Sequence, residues 1–229
     1  MKDKVVLVTG ADGGLGSYVT QAFLAAGATV VGSSRKIQQS AFNSPNFTAQ
    51  AADASTHDGA KSLIDAIITR FGKLDVLAHT VGGFAGGQSV AETPDAIFQQ
   101  MLDMNLNSVF HILQAAVPHL RKTGQGRLIA IGSRAVLEPG AGVGAYSASK
   151  AAMVSLLKTV ALENKDAGLT SNVILPGTID TPANRKAMPG SDFSKWVRPA
   201  TIAELIVWLA SDTGKDVNGA VIPVYGIDA

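Results

Sequence analysis

The chain has no cysteine, which excludes disulfides and thiolate metal centres and makes a reducing, cytoplasmic setting the natural expectation. Neither sign of charge dominates: 19 Lys and Arg against 18 Asp and Glu leave a formal net charge of +1. So balanced a chain has no electrostatic pull towards nucleic acid or an anionic membrane surface, and neither is expected as a partner. No apolar run approaches the ~18 residues of a membrane helix. After Met1-Lys2-Asp3-Lys4 come only the apolar residues Val5 to Val8, short of the ~7–15 that make a signal-peptide core. There is no internal repeat, low-complexity tract or long charge run. The histidines have no metal-ligand spacing, and no metal is expected.

Glycine, by contrast, is plentiful: 24 of 229 residues, above the usual ~7%. Without linker-like composition, that excess belongs in tight turns and close backbone approaches. The apolar pattern alternates between short β-branched runs and longer stretches of helical period. Val5–Val8, Ala28–Val31, Phe47–Gln50, Asp75–Ala78, Arg127–Ile131, Ser171–Leu175 and Ala220–Val224 read as strands covered on both faces. Leu63, Ile64, Ile67, Ile68 and Phe71 make a helical stripe that Gly72 stops. Thr93 reads as an N-cap with Pro94 at the first helical position. That helix should run on through Met101 towards Leu113, and Pro118 should kink or end it.

Strands separated by helical crossovers predict an α/β fold: one doubly wound parallel sheet of about seven strands, Rossmann-like, with helices on both faces and a single domain over 1–229. Ligands of such folds sit beyond the carboxyl ends of the strands, so the following loops are where chemistry is sought. After the first strand comes Thr9-Gly10-Ala11-Asp12-Gly13-Gly14-Leu15-Gly16, opening a helix that ends near Gly27. Glycines there let backbone N–H groups and the helix N-terminus approach a pyrophosphate. Gly10, Asp12, Gly14, Leu15 and Gly16 are the candidate contacts. At the end of the second strand, where an acidic residue would take the ribose 2′-hydroxyl of NAD, stands Ser33-Ser34-Arg35-Lys36. A hydroxyl and a guanidinium suit a 2′-phosphate, so Ser34 and Arg35 point to NADP(H), a solvated basic turn being the alternative. Asp53, after the third strand, is a candidate acceptor for the adenine amino group or an exposed turn residue.

Tyr146-Ser147-Ala148-Ser149-Lys150 sets a phenol and an ammonium one helical turn apart. Ser133 lies just past the fifth strand and Asn105 in the preceding helix. Reducing a ketone needs a proton donor beside the hydride acceptor, and a phenol of pKa ≈ 10 is mismatched to neutral pH unless a cation helps. Lys150 would supply that cation, Tyr146 the proton, and Ser133 a hydrogen bond to the carbonyl oxygen.

Taken together, Thr-Gly-x-x-x-Gly-x-Gly, Tyr146-x-x-x-Lys150, Ser133, Asn105 and Pro176-Gly177-Thr178-Ile179-Asp180-Thr181 resemble the short-chain dehydrogenase/reductase family over essentially the whole chain. The resemblance implies that Lys150 also bonds the nicotinamide ribose and that Asn105 anchors a water-linked proton relay. It further implies that Pro176, Gly177, Ile179, Thr181 and Gly82 border the cofactor, with Ile179 and Thr181 at the carboxamide and Asp53 with Ala54 at the adenine. A homotetramer or homodimer, packed through the helices of Asn105 and Tyr146, is implied too. One departure stands out: the family's Asn-Asn-Ala-Gly after strand four is His79-Thr80-Val81-Gly82 here, and His79 reads as a satisfied core or loop histidine.

Locally, Gly82-Gly83-Phe84-Ala85-Gly86-Gly87 and the Asp180–Trp196 segment resemble quinoid dihydropteridine reductases, a branch of that family. In that reading Phe84 and Trp196 stack on a flat heterocycle and Arg185 meets a carbonyl or anion. Ser34-Arg35 and Ser133 instead match an NADP(H)-dependent carbonyl/alcohol oxidoreductase acting on a small molecule, which is the reading preferred. Reduction of a quinonoid pterin is the alternative, and a non-catalytic NADP(H)-sensing protein the alternative of another class.

Overall fold

The β-branched runs pair into one sheet. In the computed structural model, which describes residues 1–227, seven strands lie in the order β3-β2-β1-β4-β5-β6-β7. They are β1 (Val5–Thr9), β2 (Thr29–Ser34), β3 (Phe47–Ala51), β4 (Val76–His79), β5 (Arg127–Ile131), β6 (Thr170–Pro176) and β7 (Val221–Val224). Every neighbouring pair is parallel, so the doubly wound fold read from the sequence is the one observed.

Alternation along each strand feeds two cores. Val5 and Leu7 point into a core shared with α2 (His57–Phe71), α4 (Ser108–Lys122) and α5 (Gly144–Glu163). Val6 and Val8 point the other way, onto α1 (Gly16–Ala25) and α7 (Pro199–Ala210). The α2 stripe behaves as its period demands: Leu63, Ile64 and Ile67 are buried, Thr56 caps the start by accepting from the Gly59 N–H at 3.1 Å, and Gly72 ends it at φ 74°. Among the described residues no helix is long and apolar enough to cross a membrane.

Three local expectations around α3 (Asp95–Leu102) and α4 are corrected. Pro94 is the N-cap itself, at ψ 144°, and the Thr93 hydroxyl donates back to the Ser89 carbonyl at 2.8 Å. The helical path is not continuous either: Asp103–Asn107 forms a π turn between α3 and α4, and this turn sends Asn105 into the interior. Pro118 does not end α4, which runs on to Lys122 with the proline on its exposed face.

Candidate active site

Thr9 pairs with Ser33 on one side and His79 on the other, so the carboxyl ends of β1, β2 and β4 are level. Strand order reverses between β1 and β4, and a crevice opens there. It holds a cleft of about 390 Å³ lined by Gly10, Gly14, Leu15, Gly16, Ser34, Arg35, Asp53, Ala54 and Gly82 among the residues singled out above. Gly10 turns at φ 71°, and its N–H donates to the Ser33 carbonyl at 2.7 Å. A Cβ on Gly16 would overlap the Gly10 carbonyl, and one on Gly14 would come within 2.9 Å of the Thr181 methyl. The turn therefore admits backbone only, with the N-terminus of α1 open towards the cleft. Ser33 Oγ, buried on the cleft wall, has no hydrogen-bond partner. Bare turn, helix end and orphaned hydroxyl together fit an extended phosphorylated ligand such as a dinucleotide.

Asp12 lies outside the lining residues and instead accepts a hydrogen bond from the Ser34 hydroxyl at 2.9 Å. Asp53 is an acceptor within its own turn: the Ser55 hydroxyl and N–H hold its carboxyl below the usual carboxylate range, with a smaller contribution from the Arg35 cation.

Beyond Gly82 and outside the lining residues of the cleft, chain geometry assembles Ser133, Tyr146, Lys150 and Asn105. Ser133 caps the short turn Arg134–Val136, its Oγ accepting from the Ala135 N–H at 3.2 Å. That leaves its own hydrogen for the phenol of Tyr146, half-buried in the first turn of α5. Contrary to the expectation of a phenol kept acidic by Lys150, burial pushes Tyr146 above its ordinary value, and only the Ser133 bond pulls it down. The Lys150 ammonium is turned onto the Ile131 carbonyl at 2.9 Å, and burial brings it down to about 8. Asn105 is fully engaged: its Nδ2 donates to the Gly83 carbonyl (3.0 Å) and to Ser149 Oγ (3.1 Å), and its Oδ1 accepts from the Gly83 N–H (2.9 Å). Gly82 is pressed against this cluster, since a Cβ there would lie 2.9 Å from both Asn105 Oδ1 and Lys150 Nζ. His79 is a core histidine but only half satisfied. Its Nδ1 meets Thr9 Oγ1 at 2.9 Å, its buried Nε2 has no partner, and burial with the Lys150 charge brings it down to about 3.

The profile of the short chain dehydrogenase family matches residues 4–192. This chain belongs to that family. Among curated relatives of this short-chain dehydrogenase, L-rhamnose 1-dehydrogenase (NAD(P)(+)) of Azotobacter vinelandii is 31% identical, aligned over 98% of this chain and 96% of the relative. The 3-oxoacyl-[acyl-carrier-protein] reductase FabG of Thermotoga maritima is 27% identical, over 99% and 98%. Among solved structures, the 3-ketoacyl-(acyl-carrier-protein) reductase from Brucella melitensis complexed with NADH superposes with a TM-score of 0.89 at 24% identity, covering 98% of each chain. That last likeness is one of fold.

In this short-chain dehydrogenase the loops after β4, β5 and β6 carry the remaining residues singled out in the sequence. Phe84 is 67% exposed, and its ring lies edge-on to Tyr146 with centroids 5.0 Å apart. The Gly87 N–H donates to the Gly142 carbonyl at 2.8 Å, joining the loops after β4 and β5 around that ring pair. Pro176 closes β6, and the Gly177 N–H donates to the Val224 carbonyl at 2.9 Å. Ile179 bridges to Val197, and Thr181 caps α6 (Pro182–Ala187). Arg185 and Trp196 are engaged elsewhere. Arg185 forms a two-bond pair with Asp180 (2.5 and 2.8 Å) and lies over the Phe193 ring; Trp196 is 7% exposed, packed on Phe193. Sequence reasoning missed the Phe84–Tyr146 contact, the loop bridge and the Asp12–Ser34 bond, each made between residues far apart in the chain. Met104 and Ser108, which also line the cleft, were missed too; the helical period alone marks them only as near neighbours of Asn105.

Proposed function

We propose that this protein is an NADP(H)-dependent oxidoreductase that interconverts a carbonyl and an alcohol, with Tyr146 as general acid and base. The observation that carries the reading is the grouping at the end of β5: Tyr146 and Lys150 stand one helical turn apart on α5, Lys150 donates to the Ile131 carbonyl, and Ser133 lies two residues past that carbonyl. Bound nicotinamide supplies or accepts the hydride. Ser133 donates to the carbonyl oxygen of the substrate, and Tyr146 gives that oxygen its proton in reduction and takes it back in oxidation. Lys150 donates one N–H to the Ile131 carbonyl, and its other N–H groups would serve the cofactor's ribose and the phenolate once formed. Asn105 fixes the loop after β4 to α5 and so keeps Gly82 open to the nicotinamide end.

Gly10, Gly14, Leu15 and Gly16 would hold the pyrophosphate, Ser34 and Arg35 the 2′-phosphate, Asp53 and Ala54 the adenine, and Pro176, Gly177, Ile179 and Thr181 the nicotinamide. Trp196, buried on Phe193, is not free as a stacking face for a flat pterin, which favours a carbonyl substrate set against Phe84. Oligomerisation is part of the proposal. The chain exposes 10,786 Å², about a tenth above the roughly 9,800 Å² expected of a monomer of this mass. Phe98, Phe110 and Leu162 stand exposed on α3, α4 and α5, so we expect a dimer or tetramer by sedimentation. The cysteine-free composition suits the cytoplasm. The deciding assay follows NADPH and NADH oxidation against small ketones, β-ketoacyl thioesters and a quinonoid dihydropterin. Turnover of a ketone or thioester with NADPH supports the reading; turnover of the pterin alone, or of nothing, overturns it.

A further inference from the structure

Read along the chain, the end of β2 carries no carboxylate. In space it does: the Gly-rich turn after β1 delivers Asp12 to it, and the Ser34 hydroxyl donates to Asp12 Oδ2 at 2.9 Å across 22 residues. Ser34 and Arg35 line the cleft beside the buried, unpartnered Ser33 Oγ, and Asp53 faces the same space. The Arg35 cation already acts on the Asp53 carboxylate, and the neighbouring Ser34 hydroxyl is bonded to the Asp12 carboxylate, so the corner is acidic as well as basic. A ribose 2′-phosphate carries about −1.5 to −2 charge and oxygens that mostly accept. It needs the single hydrogen of Ser34, which Asp12 holds, and it is repelled by the Asp12 charge. A ribose 2′-hydroxyl has neither difficulty, because it can donate to a carboxylate.

We propose that Asp12 sets the cofactor preference of this protein: by holding Ser34 and opposing a 2′-phosphate, it keeps the cleft open to NAD(H) alongside NADP(H). The inference rests on the dinucleotide reading above and concerns only how sharply the site tells the two cofactors apart. Asp12 is a specificity-determining residue here and takes no part in proton or hydride transfer.

The test is binding by isothermal titration calorimetry, with no turnover involved. NADP⁺, NAD⁺, adenosine 2′,5′-bisphosphate and 5′-AMP are titrated into intact wild type, Asp12→Asn and Arg35→Ala. In Asp12→Asn the ratio of the NAD⁺ to the NADP⁺ dissociation constant rises about tenfold, and the two fragments shift alike. If Asp12 only shapes the turn, both cofactors weaken together and the ratio stays within twofold of wild type, which overturns the proposal. Arg35→Ala separates this from the parent reading. If it leaves NADP⁺ affinity unchanged while Asp12→Asn shifts the ratio, the assignment of Arg35 falls and that of Asp12 stands. Failure of wild type to bind any of the four ligands overturns both.

Discussion

Replacing Lys150 by Met removes a charge from the interior while keeping most of the buried stem. Lys150 is 4% exposed and donates to the Ile131 carbonyl, yet burial still lowers it from 10.5 to about 8. A fall of about 2.5, at ~1.4 kcal/mol for each, means that keeping this ammonium charged costs the folded state about 3 kcal/mol at neutral pH. Methionine leaves the Ile131 carbonyl without that donor, which takes back about 1–2 kcal/mol. A net gain of about 1–2 kcal/mol remains, or a melting temperature ~3–6 °C higher for a chain of this size. The direction with pH follows from proton counting. Between about 8 and 10.5 the unfolded chain holds a proton that the folded one has lost, so wild-type stability rises with pH across that window. Below it the cost is fully present; above it the cost is gone. Thermal unfolding by circular dichroism, without cofactor, at pH 7 and pH 10.5 checks both parts. The reasoning is refuted if Lys150→Met melts below wild type at pH 7, or if the gap between the two fails to narrow at pH 10.5. A confirmed gain would place Lys150 among the residues kept for chemistry at the expense of stability.

Tyr146→Phe should lower turnover by about 10²–10⁴-fold while the cofactor dissociation constant stays within about twofold; unchanged turnover would remove the phenol from the mechanism. His79→Asn should blunt acid sensitivity. The imidazole is held at about 3 against an ordinary 6.5, so the unfolded chain gains a proton first, and wild type loses about 2 kcal/mol between pH 7 and pH 5. The variant's melting temperature should fall less over that interval, and equal falls would contradict the burial argument. Gly16→Ala should abolish dinucleotide binding and lower the melting temperature, because its Cβ overlaps the Gly10 carbonyl, a backbone atom that cannot swing aside. Wild-type-like binding in a calorimetric titration would mean that the turn is looser than it looks.

What the sequence made legible was chemistry spaced along the chain. Tyr146 and Lys150 are four apart on α5, the glycines of the β1–α1 turn are contiguous, and strands covered on both faces read as apolar runs. Ser133 was legible because it follows a strand. Through-space relations were not. Asp12 meets Ser34 because β1 and β2 are neighbours in register, and Phe84 meets Tyr146 where the Gly87–Gly142 bond joins the loop after β4 to the segment leading into α5. The surroundings of the phenol were not legible either. Spacing placed Lys150 one turn from the phenol, but the Ile131 carbonyl that accepts from its ammonium is supplied by a different element. Trp196 suggested a stacking surface by type, and Phe193, three residues away, covers it.

The π turn at Asp103–Asn107 constrains how this chain can change. A helix advances about 100° per residue, so the one residue that widens the turn sets the angle at which everything after it leaves. Val109, Ile112, Leu113, Ala116 and Leu120 fall on the core side of α4 only with that residue present. Deleting any single position in the turn would restore ordinary winding, swing Asn105 off Gly83 and roll the apolar stripe of α4 towards solvent in one stroke. A chimera that joins the first half of this chain to the second half of a relative must therefore place its junction elsewhere, or carry the widened turn across intact.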